Sequence, residues 1–381
     1  MSSTKPSLGL LRSLTEEHVL RVIMHRGRLT RSEIATLTGL SKPTISESVR
    51  RLSDAGVLVD TGERTTGRGR AGSYYSLAED CGAALVAGIA PNGVAAEAVD
   101  AFGRVLARTH ADLDRSAGPD VAAVALEKVA GELAAAAPGG LRCAVVSAAD
   151  PVDRETGRLV RVPDEPFLVG ELDPVAVLAP YVGETVLVDN DVNWSARAER
   201  DEGGASGVDD FVYLHLGEGL GCAVVTDGEV RRGSGGLAGE IAHVCTAGPD
   251  GTASPFTEVF ELLGLRRARS TAIDVEALRS SIRTDDASGT WVREVLARAV
   301  GGVLSAAVAM ADPRLVVLGG SWGSDPSMVR AIADRFSRAP RHVPIAVAQV
   351  AEPELSGART RAVEQLRELI VTESRSEPRR E

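Results

Sequence analysis

Across residues 15–26 the apolar positions Val19, Leu20, Val22 and Ile23 recur at helical spacing, and Gly27 stands where a helix should end. Thr30-Arg31-Ser32-Glu33 has the spacing of a capping box, in which the hydroxyl accepts from the Glu33 amide and the carboxylate reaches back to the cap amide. The pattern predicts a short second helix with Ile34, Ala35 and Leu37 turned inward, ending at Gly39. Ser41 then caps a third helix to about Ala55, with Ile45, Val49 and Leu52 as its buried stripe. Lys42, Pro43, Thr44, Ser46, Glu47, Arg50 and Arg51 are left on its outer faces. Residues 57–60 read as a strand, 61–73 as a polar, glycine-containing hairpin, and 74–77 as its return.

Beyond residue 80 the period changes. Runs at 84–90, 94–99 and 105–109 predict three strands joined by turns at Asn92-Gly93 and Phe102-Gly103. A helix over 120–137 and short strands over 141–147 and 185–188 follow, so hairpinned strands give way to alternating helix and strand. The Val-, Leu- and Ala-rich stretch 291–310 predicts a long helix suited to core packing, or to packing between lobes or subunits.

Two helices joined by a glycine turn, the second opening with small polar residues and cations, form a helix-turn-helix pattern, and the hairpin after it is a wing. Ser41, Lys42, Pro43, Thr44, Ser46 and Arg50 are the candidates for contact with double-stranded DNA. The wing tip, Gly67-Arg68-Gly69-Arg70, adds Arg68 and Arg70, placed to enter a narrow minor groove or clamp phosphates. Taken singly, such helical hairpins also serve as dimerisation modules, and Arg-Gly pairs occur in ordinary solvated loops. Charge supports the DNA reading: residues 1–75 carry 12 Lys+Arg against 7 Asp+Glu, while the whole 381-residue chain has a net charge of −11. A basic head on an acidic body suits a site-specific binder better than a general nucleic-acid coat.

Cys81, Cys143, Cys222 and Cys245 lie far apart, with neither zinc-ribbon nor redox-pair spacing, and read as small hydrophobes in a reducing compartment. With lysine only at positions 5, 42 and 128, no GxxxxGK phosphate loop exists. The amino terminus lacks a signal pattern and the apolar runs break before 18 residues, so a cytoplasmic protein without a membrane span is expected.

Leu187-Val188-Asp189-Asn190-Asp191-Val192-Asn193 and Gly236-Leu237-Ala238-Gly239-Glu240-Ile241-Ala242-His243 resemble the sugar-binding signatures of the ROK family (repressors, open reading frames and kinases). The stretch from Pro151-Val152-Asp153 through Gly157 to Val162-Pro163-Asp164, and Leu318-Gly319-Gly320, resemble two further family loops. The resemblance implies an α/β chain: a winged helix-turn-helix domain over 1–77, followed by a two-lobed ribonuclease-H-like body of the actin/hexokinase type. The first lobe would span 78–190, rejoined by the C-terminal helix, and the second 191–381, with sugar-site and oligomerisation elements.

The same resemblance places Asp164, Asn190, Asp191, Glu240, His243 and Glu258 around a sugar, with Asp191 where kinases hold their general base. Such carboxylate, amide and imidazole groups suit a ring of hydroxyls, although Asp-Asn-Asp can equally form a turn and cap a helix, and His243 can be a hydrogen-bonded core residue. Phosphate chemistry is expected to be lost. The first phosphate loop reads Ala90-Pro91-Asn92-Gly93 without a carboxylate, and the second, Gly217-Glu218-Gly219-Leu220-Gly221, puts a glutamate where phosphates would come. The family's zinc motif joins a histidine to three nearby cysteines, whereas His243 has only Cys245 near it, so neither zinc nor another cofactor is expected. The sequence thus predicts a repressor of carbohydrate uptake or catabolism genes, a homodimer or dimer of dimers, whose operator affinity a sugar modulates. The alternatives are a ROK-type sugar kinase with a regulatory head and a ligand-blind DNA-binding scaffold.

Overall fold

The computed structural model describes residues 8–66, 71–162, 170–183 and 185–375. Arg68, Arg70 and Asp164 lie outside them.

The head begins with helix α1 (Leu8–Arg26), which starts earlier than its apolar periodicity indicated. The short strand β1 (Leu29–Thr30) leads into α2 (Arg31–Thr38). The capping box forms: the Glu33 amide donates to Thr30 Oγ1 at 3.3 Å, and the Thr30 amide donates to Glu33 Oε2 at 2.8 Å. Gly39 ends α2 in the left-handed region at φ 71°, where a side chain would be strained. Leu37, expected inside, is 48% exposed, because α2 is short and only Ile34 and Ala35 face its neighbours. Helix α3 (Lys42–Asp54) is capped by Ser41 and buries Ile45, Ser48, Val49 and Leu52. Strands β2 (Leu58–Arg64) and β3 (Ser73–Leu77) form the wing, with β1 pairing to the other edge of β3.

The first body sheet contains β4 (Ala83–Ala90), β5 (Gly93–Val99), β6 (Val105–Asp112), β7 (Leu141–Ala148) and β8 (Val186–Asn190), in the order β6-β5-β4-β7-β8. The hairpinned strands are antiparallel, whereas β7 runs parallel to both β4 and β8. Helices α4 (Pro119–Ala136) and α5 (Pro174–Leu178) supply the crossovers and pack their apolar sides on one face of this sheet.

Helix α6 (Asp191–Glu202) leads to the second sheet, built from β9 (Phe211–Leu216), β10 (Leu220–Thr226) and β11 (Glu229–Val230). A small hairpin of β12 (Cys245–Ala247) and β13 (Ala253–Pro255) precedes α7 (Phe256–Leu262), α8 (Val275–Arg283) and α9 (Ala287–Ala311). Strand β14 (Leu315–Gly319), α10 (Pro326–Phe336) and β15 (Ile345–Val347) complete the sheet in the order β11-β10-β9-β14-β15. Among the described residues α9 is the one helix long and apolar enough to cross a membrane, but Val292, Val295, Leu296, Val300, Val303 and Leu304 bury one side of it in the second core.

The last helix, α11 (Pro353–Arg375), returns to the first sheet. Ala358, Ala362, Val363, Leu366, Ile370 and Val371 share one core with Val86 and Val145 of that sheet and with Val19, Leu20 and Ile23 of α1. Head and body are therefore welded by apolar burial rather than tethered. Arg367 adds two hydrogen bonds at the seam, donating to Ala101 O (2.7 Å) and to Met24 O (3.2 Å).

Candidate ligand cleft and DNA-facing surface

The front of α3 is open. Ser41, Lys42, Pro43 and Thr44 are exposed, and Ser46 is half-buried. The Ser41 hydroxyl is already engaged as the cap, accepting from the Thr44 amide at 3.3 Å. Arg50 is exposed but paired, donating to Glu47 at 2.7 Å and to Asp54 at 2.9 Å. Both pairs are solvated and within about one helical turn, so phosphate can displace them at low cost. Two stacking contacts escaped the sequence reading: Arg28 lies 5.4 Å from the centre of the Tyr74 ring, and Arg31 lies 4.9 Å from that of Tyr75.

A cleft opens between the two sheets, lined by Ala149, Pro151, Asn190 to Asn193, His215, the glycine loop 219–221, Cys222, Gly236 and Ala238 to Glu240. It brings together Asn190, Asp191 and Glu240 of the expected sugar residues. His243 and Glu258 are exposed and lie outside its lining.

Asn190 is largely occupied by structure. Its carbonyl caps α6 by accepting from the Val192 amide at 3.0 Å, and its amide donates to Ala148 O (3.4 Å) and Asp150 O (3.3 Å). Asp189, behind it, accepts from Asn193 at 2.8 Å and from the Asn190 amide at 2.9 Å, and stands 3.2 Å from Arg232. Asp191 differs: burial, together with the charge of Glu354 in the first turn of α11, pushes its carboxyl up to about 7. His215, on β9, was missed by the sequence reading because nothing local separates it from a strand residue. In the fold it faces the same cleft, and burial pushes its imidazole down to about 4, leaving it neutral at physiological pH.

The two glycine loops have each acquired a local structure of their own. Pro91 and Asn92 form a tight turn between β4 and β5, where Ala90 pairs with Gly93. In the second loop, Glu218 turns to two arginines, accepting from Arg115 at 2.7 and 3.0 Å and from Arg267 at 2.7 Å. Burial raises the Glu218 carboxyl, but the hydrogen bonds and charges of the two guanidinium groups reverse this and hold it below the ordinary range. The indole N–H of Trp322, wholly buried against Phe260, donates to Gly217 O at 2.9 Å and fixes the loop from behind.

His243 and Cys245 are both exposed, and among the described residues no cluster of three or more His, Cys, Asp or Glu is placed to hold a metal. The segment that follows His243 is ordered by other means. The β12–β13 hairpin pairs Cys245 with Pro255, and buried Thr246 donates to Ala299 O of α9 at 2.7 Å.

The chain thus joins a winged helix-turn-helix domain to a body of two sheets with a cleft between them. The ROK family model matches residues 94–359, most of the chain, and a winged helix-turn-helix DNA-binding model matches residues 12–59. The protein belongs to the ROK family. A xylose repressor of Caldicellulosiruptor bescii is 24% identical over 269 residues, covering 67% of this chain and 66% of that repressor. The xylose repressor of Bacillus subtilis is 20% identical over 244 residues, 61% of each chain. The alignments thus span about two thirds or less of these relatives.

Among solved structures, a ROK family transcriptional regulator described as a homologue of the Escherichia coli MLC protein superposes with a TM-score of 0.67 at 17% identity, covering 95% of this chain and 99% of that one. A ROK hexokinase from Thermus thermophilus gives 0.59 at 24% identity, covering 75% and 99%. At these identities the structural likeness is one of fold.

Proposed function

We propose that this protein is a sugar-responsive transcriptional repressor of carbohydrate uptake or catabolism genes. It acts in the cytoplasm as a homodimer or dimer of dimers on double-stranded operator DNA. One observation carries the reading: a single helix joins the two ends of the response. The first turn of α11 places Glu354 beside Asp191 of the cleft, and its later turns share a core with α1 of the head. A ligand shifts a two-state balance only through unequal affinity for the two states, and α11 is the element through which cleft closure would reposition the head. The xylose repressors among the relatives support a pentose or related monosaccharide as effector. In this reading Asp191, Glu240 and His215 face the sugar, Asn190 shapes the cleft around it, and neither zinc nor nucleotide takes part.

The test is operator release, followed by fluorescence anisotropy, across a panel of monosaccharides. One sugar should release the operator, and Asp191→Ala should keep DNA affinity while losing that response. Release that persists in Asp191→Ala would move the effector site elsewhere.

A second reading, a sugar kinase with a regulatory head, draws on the same carboxyl, since a group titrating near 7 suits a general base. Against it stand the Pro91-Asn92 turn and the carboxylate of Glu218 in the loops that would hold phosphate. A coupled ADP-release assay over the same panel separates the two, and turnover would favour the kinase.

A further inference from the structure

Glu218 sits between two arginines that come from distant parts of the chain. Arg115 stands between β6 and α4, in the first lobe, whereas Glu218 stands between β9 and β10, in the second, 103 residues away in sequence. Both guanidinium nitrogens of Arg115 meet both carboxylate oxygens, the two-point geometry that gives an ion pair direction as well as strength. Arg267, approaching from the second lobe, completes the triad through Oε1. The loop that carries Glu218 is anchored on its own lobe by Trp322 and by the Ile273 amide, which donates to Glu218 O at 3.0 Å. The flanking residues 219–221 line the cleft itself.

We infer that Arg115, Glu218 and Arg267 form an electrostatic latch that holds the two lobes together beside the cleft. A separation of the lobes that moves Arg115 from Glu218 must break two charge-assisted hydrogen bonds, while Arg267 remains to neutralise the stranded carboxylate. The latch is asymmetric: opening costs one bidentate pair and leaves no unpaired charge on the second lobe. Elsewhere the lobes meet where Arg154 donates to Gly233 O (3.0 Å) and its amide to Gly235 O (3.3 Å), and where Arg232 stands 3.2 Å from Asp189 and donates to Val188 O (3.2 Å). Of these charged contacts the triad is the more exposed, Arg115 and Glu218 being 48% and 24% accessible against 23% and 6% for Arg232 and Asp189, and so it is the more salt-sensitive.

The test measures the distance between the lobes in the full chain without sugar. Cys245 is an exposed thiol on β12, Cys143 and Cys222 are buried, and half-buried Cys81 is removed by Cys81→Ser in the labelled background. A spin label on Cys245 and another at Lys128→Cys, exposed on α4, report the separation by pulsed electron resonance. Parent protein at low salt should give one narrow distance. Arg115→Ala and Glu218→Gln should each move population to longer, broader distances, Arg115→Lys, which keeps the charge but not the two-point geometry, should fall between parent and Arg115→Ala, and about 1 M salt should drive the parent toward the variants. Distributions for Arg115→Ala and Glu218→Gln that match the parent at low salt would overturn the latch.

A second arm rests on the repressor reading above. Once a releasing sugar is known, Glu218→Gln should raise its half-saturating concentration about fivefold, the scale of one partly exposed ion pair, and an unchanged value would count against the latch. If no sugar releases operator from the parent, the repressor reading fails while the distance measurement still decides the latch.

Discussion

The head and the cleft employ arginine in opposite ways. On α3, Arg50 pairs with Glu47 and Asp54, three and four residues away on one exposed surface. Beside the cleft, Glu218 is met by Arg115 and Arg267, 103 and 49 residues distant, and the pairs join separate elements. Pairs of the first kind are worth little and exchange readily, which suits a surface that must trade them for phosphates. Pairs of the second kind define a shape. The difference teaches that a charged residue's role follows from how far away its partner lies in sequence and how well solvent reaches it.

The largest expected effect lies where long-range polar contacts are deepest. Glu199 of α6 is wholly buried and accepts from the amides of Gly204 (2.6 Å), Gln349 and Val350 (both 2.8 Å), tying α6 to the segment before α11. Glu199→Ala leaves these donors without their acceptor and should cost about 3 kcal/mol in urea unfolding. A loss below about 1 kcal/mol would mean that water or a shifted backbone replaces the carboxylate.

Asp191 sharpens the contrast through pH. Its folded carboxyl titrates near 7, above an unfolded value of about 4. The stability linked to its protonated form is therefore complete below about pH 4 and is lost as pH rises through 7. Asp191→Asn should exceed the parent by about 1–2 kcal/mol near pH 8 and match it near pH 4, measured by thermal melts across pH. A constant difference would remove the titration of Asp191 from the account.

In the head, Lys42→Ala should weaken operator binding about fivefold and lower the slope of log affinity against log salt by about 1, because one phosphate contact is lost. An unchanged slope would take Lys42 off the DNA face. The smallest effect belongs to Leu37→Glu: with Leu37 48% exposed, the change should lie within about 0.5 kcal/mol on denaturation. A loss of several kcal/mol would restore the inward placement that its spacing suggested.

The head was largely legible because its signals are local. Thr30 and Glu33 are three residues apart and form the box they spell, Gly39 adopts the left-handed conformation that stops α2, and Ser41 caps α3. Leu37 failed because periodicity assigns a face to a helix but not the length of the surface that covers it. In the body, Asn190, Asp191 and Glu240 line the cleft. His243 and Glu258 do not line it: the β12–β13 hairpin and the start of α7 hold their segments to α9. His215 carries no motif, and only the meeting of two sheets makes it a cleft residue.

The sequence alone determined the helices, caps and wing strands of the head, the first strands of the body, and that an acidic body follows a basic head, since propensity, capping and apolar period act over a few residues. Tertiary structure decided the rest: that α11 shares a core with α1, that Arg115 finds Glu218 across the cleft, and that Asp191 titrates near 7. Those properties depend on distance and desolvation between groups far apart in the chain, and neither exists until the chain has folded.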